Sequence, residues 1–487
     1  MLPLIFAFCG FYVSGSGGKM FNDATQVVLM RDGTRTVLAM QNDFKGPLED
    51  FAMVVPVPVV LHDGDVKTLR PDVFDHVESL GSPRLVEYWE QDPCPQPELA
   101  LGDGVGYGRG APGMVASGAA YGMGGGHATV KIEAKFDVAE YQIVILSATD
   151  SAGLETWLTD NHYKIPSGAE PLLRPYVEAG SKFFVAKVDP AKVHMEDGHA
   201  ALSPLRFHYD SEDFSLPIRL GMANSSGKQD LIVNVISADK RYEVANYKNV
   251  FIPTNFDVKD SVKKRFGEFY AALFDKTVEA NPGAVVTEYA WTAVPNYHCD
   301  PCTDADITNP DLLTLGGDIV GGRIAAGNFV LTRLHARYGK GEMKDDLRFR
   351  EAKPVTGGRE QWAKQGLEYG AQPSAQNYFQ ARYAIRHWWT GPIKCKNPQR
   401  GVWGGPPDGN YQGTLAANKI AFAPRGKFAL DTVINRDLWE IGFKKARKAP
   451  PKATTPGSSK AMGLGVGAFG ALALIGLGTL LTRRRQR

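Results

Sequence analysis

Residues 461–482 form an uncharged run of 22 residues, Ala461 to Thr482, and no other feature limits the architecture so sharply. At ~1.5 Å per residue a helix of that length spans ~33 Å, about the hydrocarbon thickness of a bilayer. The run therefore predicts a single C-terminal transmembrane helix. Arg483, Arg484, Arg485 and Arg487 follow it directly, and positive charge beside a span is retained on the cytoplasmic side. Residues 483–487 are thus expected in the cytoplasm and the body outside it, periplasmic or extracellular. Lys444, Lys445, Arg447, Lys448 and Lys452 oppose that asymmetry, but they lie among Pro450, Pro451 and Pro456 in what reads as a basic Pro/Ser stalk over 441–460. Gly463 and Gly467 have the spacing at which two such helices approach closely. A span, an Arg cluster and a chain end in this order also resemble the C-terminal sorting tags of bacterial surface proteins, although the short tag motif is not evident.

The ten Lys/Arg of residues 441–487 stand without one acid, which leaves 45 basic against 53 acidic side chains in residues 1–440. A net-acidic body repels phosphate, so nucleic acid is excluded as a partner. With 43% hydrophobic residues the body can bury sizeable cores. Residues 2–8 are apolar but too few for a complete secretory signal; either residues 1–8 are the remnant of a truncated one, the preferred reading, or export uses the C-terminal helix alone.

The body reads as α+β, a strand-rich globular ectodomain with short helices and a Gly-rich linker. Residues 26–30 and 34–40 flank Asp32-Gly33, a dipeptide suited to a tight hairpin turn. Residues 51–61 read as a strand that Pro56 and Pro58 push toward a sheet edge or an irregular extended segment. Residues 71–80 read as a helix, and residues 83–91 as another with Ser82 as its cap. Eleven glycines among residues 102–126 predict a loop, and the GxGxxA spacing of Gly106, Gly108 and Ala111 lacks the strand and helix that a nucleotide fingerprint needs. Residues 141–146 and 182–188 read as strands, and residues 151–161 as a helix capped by Asp150. Residues 214–222, 229–236 and 241–247 suggest a β-meander. Val262, Phe266, Phe269, Tyr270 and Leu273 form one helical stripe ended at Asn281-Pro282-Gly283. Residues 285–294 and 328–337 are strand-like. The expected regions are 9–101, an N-terminal α+β part; 102–126, the loop; 127–350, a central α+β part; and 351–440, rich in aromatic residues, Gly and Pro.

Cys9, Cys94, Cys299, Cys302 and Cys395 are too few for a disulfide scaffold, yet outside the cytoplasm they should oxidise. Two bonds among five thiols allow 15 connectivities, and spacing does not choose. Cys299 and Cys302 have redox spacing beside His298, but Asp300-Pro301 reads as a surface loop rather than a helix start. Zinc there lacks a second ligand pair. His194, Glu196 and His199, followed by His208, Asp210, Glu212 and Asp213, have the donors for a metal-binding module but neither helical HExxH nor calcium-loop spacing. A solvated acidic loop is the simpler reading, and no metal ligand set is assigned. No nucleophile elbow or phosphate loop is evident; catalytic residues are unassigned and no cofactor is expected. Trp388, Trp389 and Trp403 lie among Gly and Pro and suit either a sugar or peptide platform or a core beneath irregular loops.

Residues 7–13 (Ala7-Phe8-Cys9-Gly10-Phe11-Tyr12-Val13), 22–30, 51–59, 141–147, 182–188, 214–221 and 331–347 together resemble the bacterial domain-of-unknown-function family 2330 over most of residues 7–440. In that family the Phe-Cys-Gly-Phe-Tyr-Val segment resembles the start of the mature chain after signal cleavage. The resemblance implies a shared fold and location and brings no activity. The expectation is a non-enzymatic membrane-anchored envelope protein, held in the bilayer by residues 461–482, that binds other envelope proteins or polysaccharide. The alternatives are an anchored enzyme, either a thiol-disulfide oxidoreductase at Cys299/Cys302 or a hydrolase, and a metal-binding module at His194, Glu196 and His199.

Overall fold

Gly33 adopts a φ of +57°, and with Asp32 it closes the hairpin between strands Ala24–Asp32 and Arg35–Gln41. The hairpin expected from the sequence is present, and it lies inside the largest sheet. The computed structural model describes residues 11–14, 24–41, 51–94, 129–161, 169–196, 199–223, 227–294, 307–361, 366–407, 415–416, 425–426 and 428–445. The Gly-rich loop and the 461–482 run lie outside them. The described residues all fall within one compact unit, residues 1–446. Among the described residues no helix is long and apolar enough to cross a membrane.

The largest sheet has 11 strands. Its centre runs in the order Val285–Ala293, Phe329–Tyr338, Gln229–Ser237, Ala24–Asp32, Arg35–Gln41 and Leu205–Asp210. Both faces are buried. Val27, Leu29, Leu38 and Met40 point to one side and meet Met53, Val55, Ile143 and Phe184 of an antiparallel five-stranded sheet. The alternate residues Val28, Met30, Val37 and Ala39 point to the other, where Val73, Phe74 and Val77 of helix Asp72–Gly81 cover them. The outer face of the smaller sheet is covered by Leu154, Trp157 and Leu158 of helix Ser151–Asp160 and by Leu173 and Tyr176 of Glu170–Glu178. Asp150 caps the first of these by accepting the Gly153 N–H at 2.7 Å.

Helix Phe266–Ala280 presents Phe266, Phe269, Tyr270 and Leu273 to the far end of the large sheet, at Val286 and Ala290, and to a second five-stranded sheet containing Tyr383 and Ile385. That second sheet joins distant parts of the sequence. Arg84–Glu90 runs parallel to Arg382–His387, with Leu85 opposite Tyr383 and Trp89 opposite His387.

Three local expectations are corrected. Residues 83–91 are not a helix, because Arg84–Glu90 is claimed by ladder partners about 300 positions away. The expected meander does not form either: Gln229–Ser237 lies between Ala24–Asp32 and Phe329–Tyr338, while Ser215–Leu216 and Arg241–Val244 both pair with Leu347–Ala352. Phe51–Val57 lies within its sheet, not at the edge. Among the described residues one neighbour, Phe11–Ser14, reaches only to Val54, and Pro56 is paired on its other side with Phe183.

Candidate functional site

Two polar assemblies stand out, one sealed in the core and one at the surface. The buried one begins with an irregularity. Between Val285–Ala293 and Phe329–Tyr338 the register shifts between Thr287 and Tyr289, leaving Glu288 as the extra residue of a bulge. Its carboxylate accepts the Arg333 Nε–H at 2.7 Å, lies 2.7 Å from His335 Nδ1 and accepts the Tyr270 hydroxyl at 2.8 Å. Arg333 and His335 are two residues apart on one strand and so share a face. Arg333 also donates to Glu78 of helix Asp72–Gly81, at 2.5 and 3.1 Å. His335 Nε2 lies 2.9 Å from Asp230 Oδ1, and Asp230 also pairs with Arg337 and Arg425. Arg425 and Arg337 both reach Asp275 as well.

Arg333, Arg337, Arg425 and His335 thus face Glu78, Glu288, Asp230 and Asp275, four potential cations against four acids. Balance requires His335 to be charged. Burial alone would lower the His335 pKa, but the Glu288 charge and the hydrogen bonds to Asp230 and Glu288 raise it. Burial likewise pushes the Glu288 carboxyl up, and the His335 and Arg333 charges outweigh it and hold it at about 2. An imidazolium with both nitrogens on carboxylates and the Phe274 ring stacked on its face, centroids 3.8 Å apart, has no lone pair to lend a substrate. This assembly braces the large sheet against two helices.

Its pH dependence follows from these directions. A carboxyl held below its ordinary 4.5 when folded contributes stability that is complete above that pH and is lost as the pH falls toward about 2. For Glu288 the loss is on the order of 3 kcal/mol. Urea midpoints measured at about pH 7, 4.5 and 2.5 should hold between the first two and drop at the third. A midpoint unchanged at the lowest pH contradicts the ion pairing of Glu288.

The surface assembly lies on the sheet formed by Arg84–Glu90, Arg382–His387 and Trp403–Gly404. Just beyond its strands, Cys94 and Cys395 form a disulfide, Cα atoms 5.5 Å apart, across 301 positions of sequence. Under it the buried Glu90 carboxylate accepts two hydrogen bonds from Arg400 at 2.7 Å and the backbone N–H groups of Gly401 and Trp389 at 2.7 and 3.0 Å. Those Arg400 bonds outweigh burial and hold its pKa at about 2. So anchored, the loop exposes Trp388 (58%), Val402 (48%) and Ile393 (44%). Trp388 meets Trp403 edge to face at 4.8 Å, and the Arg386 guanidinium lies 4.7 Å over Trp403. One strand pair inward, His387 stacks on Trp89 at 4.8 Å, and its Nε2 lies 2.9 Å from Glu87 Oε2. Lys263 pairs with the other Glu87 oxygen at 2.5 Å, and Asp260 places a ligand atom within 4.8 Å of those of Glu87 and His387.

A cleft of about 300 Å³ also opens beside Phe207, Tyr209 and Tyr176, but its central charges serve each other. Asp346 accepts the Tyr176 hydroxyl at 2.6 Å and an Arg219 N–H at 2.9 Å.

Of the thiols singled out in the sequence, the structure pairs Cys94 with Cys395, while Cys9, Cys299 and Cys302 lie outside the described residues, as do His298 and the tail arginines. His194–Glu196 and His199–Ala201 form a two-stranded hairpin, with Glu196 opposite His199 in the backbone register. Nearby Asp210 is committed to Arg35, accepting at 2.7 and 2.9 Å, and His208 faces Asp65 at 3.4 Å. Sequence reasoning missed the buried assembly whole and, of the surface one, Glu87, Glu90 and His387, although it singled out Trp388, Trp403, Cys94 and Cys395. The alternation Arg333, His335, Arg337 was visible, but alternating charge ordinarily marks a solvated face, whereas Arg333 and His335 are fully buried. Glu87, Asp260 and His387 are too far apart in sequence to form a motif.

The fold and these sites define a strand-rich α+β protein closed by a long-range disulfide, with an aromatic and basic surface beside it. The chain matches over residues 3–350 the family described as "Uncharacterized protein conserved in bacteria (DUF2330)", and it belongs to that family. No curated protein and no solved structure matches it.

Proposed function

We propose that this chain is an exported envelope protein, tethered to the membrane by residues 461–482 with residues 483–487 in the cytoplasm, whose body binds other surface components and catalyses nothing itself. The observation that carries the reading is the Cys94–Cys395 disulfide, since such bonds persist in oxidising compartments and are rare in the cytosol. The uncharged run with its arginines supplies the tether. Trp388, exposed beside Arg400 and propped edge to face by the partly covered Trp403, is the surface on which a polysaccharide or another envelope protein would rest, because an exposed indole face suits apolar sugar faces and aromatic side chains.

The test is topological. The full-length chain should sediment with membranes, and brief trypsin treatment of intact spheroplasts should remove the body. A body fully protected until the cells are lysed contradicts the orientation.

A further inference from the structure

We propose that Glu87, Asp260 and His387 form a zinc-class divalent cation site with three protein ligands and one open position. The three come from separate parts of the fold. Glu87 and His387 stand on adjacent parallel strands, and Asp260 begins the turn Asp260–Arg265 above them. One imidazole nitrogen beside two carboxylates is a mixed donor set, in which the imidazole favours zinc over calcium or magnesium, and it leaves the fourth tetrahedral position to water or to a partner's ligand. With a neutral imidazole, two carboxylates balance a divalent charge.

The geometry lies close to that of a loaded site. Tetrahedral ligands at about 2.0–2.2 Å from zinc are about 3.3–3.6 Å from one another. His387 Nε2 and Glu87 Oε2 are now 2.9 Å apart, a hydrogen bond that the ion would replace by parting the atoms a few tenths of an ångström. Asp260 is exposed at the start of its turn and can swing the remaining distance inward. The imidazole is already oriented, being stacked on Trp89 with the rings inclined by 18°. Glu87 and His387 side chains are 15% and 31% exposed, so the site is both shielded and open to entry. Lys263 has two parts to play. Its ammonium on Glu87 Oε1 can remain as an outer partner of the ligating carboxylate, yet its positive charge competes with the metal. The site's occupancy is thereby tuned by one lysine.

The site does not depend on the membrane tether, and its test is separate from that of the proposed location. Full-length chain in detergent is stripped with chelator and titrated with zinc chloride, following bound zinc by elemental analysis and tryptophan emission together, since Trp89 touches the ligand. The expected result is one zinc per chain with an emission change that saturates at that ratio. His387→Ala and the exposed substitution Asp260→Asn should each weaken binding at least about tenfold, Lys263→Met should tighten it, and calcium, which prefers all-oxygen sites, should not displace the zinc. A wild-type chain that retains no zinc overturns the assignment. So does zinc held undiminished in both His387→Ala and Asp260→Asn, because the ion is then bound elsewhere, as by Cys299 and Cys302.

Discussion

Replacing Arg333 with methionine should destabilise the protein by about 3–5 kcal/mol, the cost of leaving a buried charge without its partner. The guanidinium is fully buried and holds two carboxylates at once, Glu78 from a helix and Glu288 from the sheet bulge. Methionine fills much of the volume, so the loss reports the stranded acids rather than a cavity. The control is Arg35→Met. Arg35 makes an equally well-formed pair with Asp210, but both side chains are about half exposed, and its loss should cost no more than about 1 kcal/mol. Urea denaturation of the two variants checks the contrast. Equal effects would show that the Glu78–Arg333–Glu288 chain does not hold helix to sheet.

Cys395→Ser should cost about 4 kcal/mol, within the 2–5 kcal/mol usual for a native disulfide. The bond closes a loop of 301 positions, and on the chain-entropy account long loops gain most. It also fixes the segment that carries Arg400 and Trp388 over Glu90. Reductant should lower the melting temperature of the wild type, and by clearly more than that of the variant, which has already lost this bond. A wild type indifferent to reductant would mean that the bond is absent in solution.

What could be read in the sequence, and what could not, divides by range. The Asp32-Gly33 hairpin, the Asp150 cap and the stripe from Phe266 to Leu273 are set by neighbouring residues, and each is found where expected, whereas Val262 reaches the same core from the preceding 3-10 turn Asp260–Arg265. Arg84–Glu90 was misread because Ser82-Pro83 is as good an entry to a strand as to a helix, and the deciding partner, Arg382–His387, lies about 300 residues on. Distance hid the sites for the same reason. Glu288 gains its meaning from a bulge that brings it to Arg333 and His335, and Cys94 from a partner that spacing could not select among 15 pairings. The aromatic platform was half legible: Trp388 is exposed as a binding surface needs, while Trp389 and Trp403 are partly covered.

The measurement that bears most directly on an exported, oxidised body is thiol trapping in intact cells. Cells are quenched in acid and the denatured full-length chain is treated with a maleimide of large mass, with and without prior reduction. The account predicts that Cys94 and Cys395 take up the label only after reduction and that the chain is found with the membranes. Full-length chain in the cytosolic supernatant, with both of these thiols labelled before any reductant is added, would contradict it.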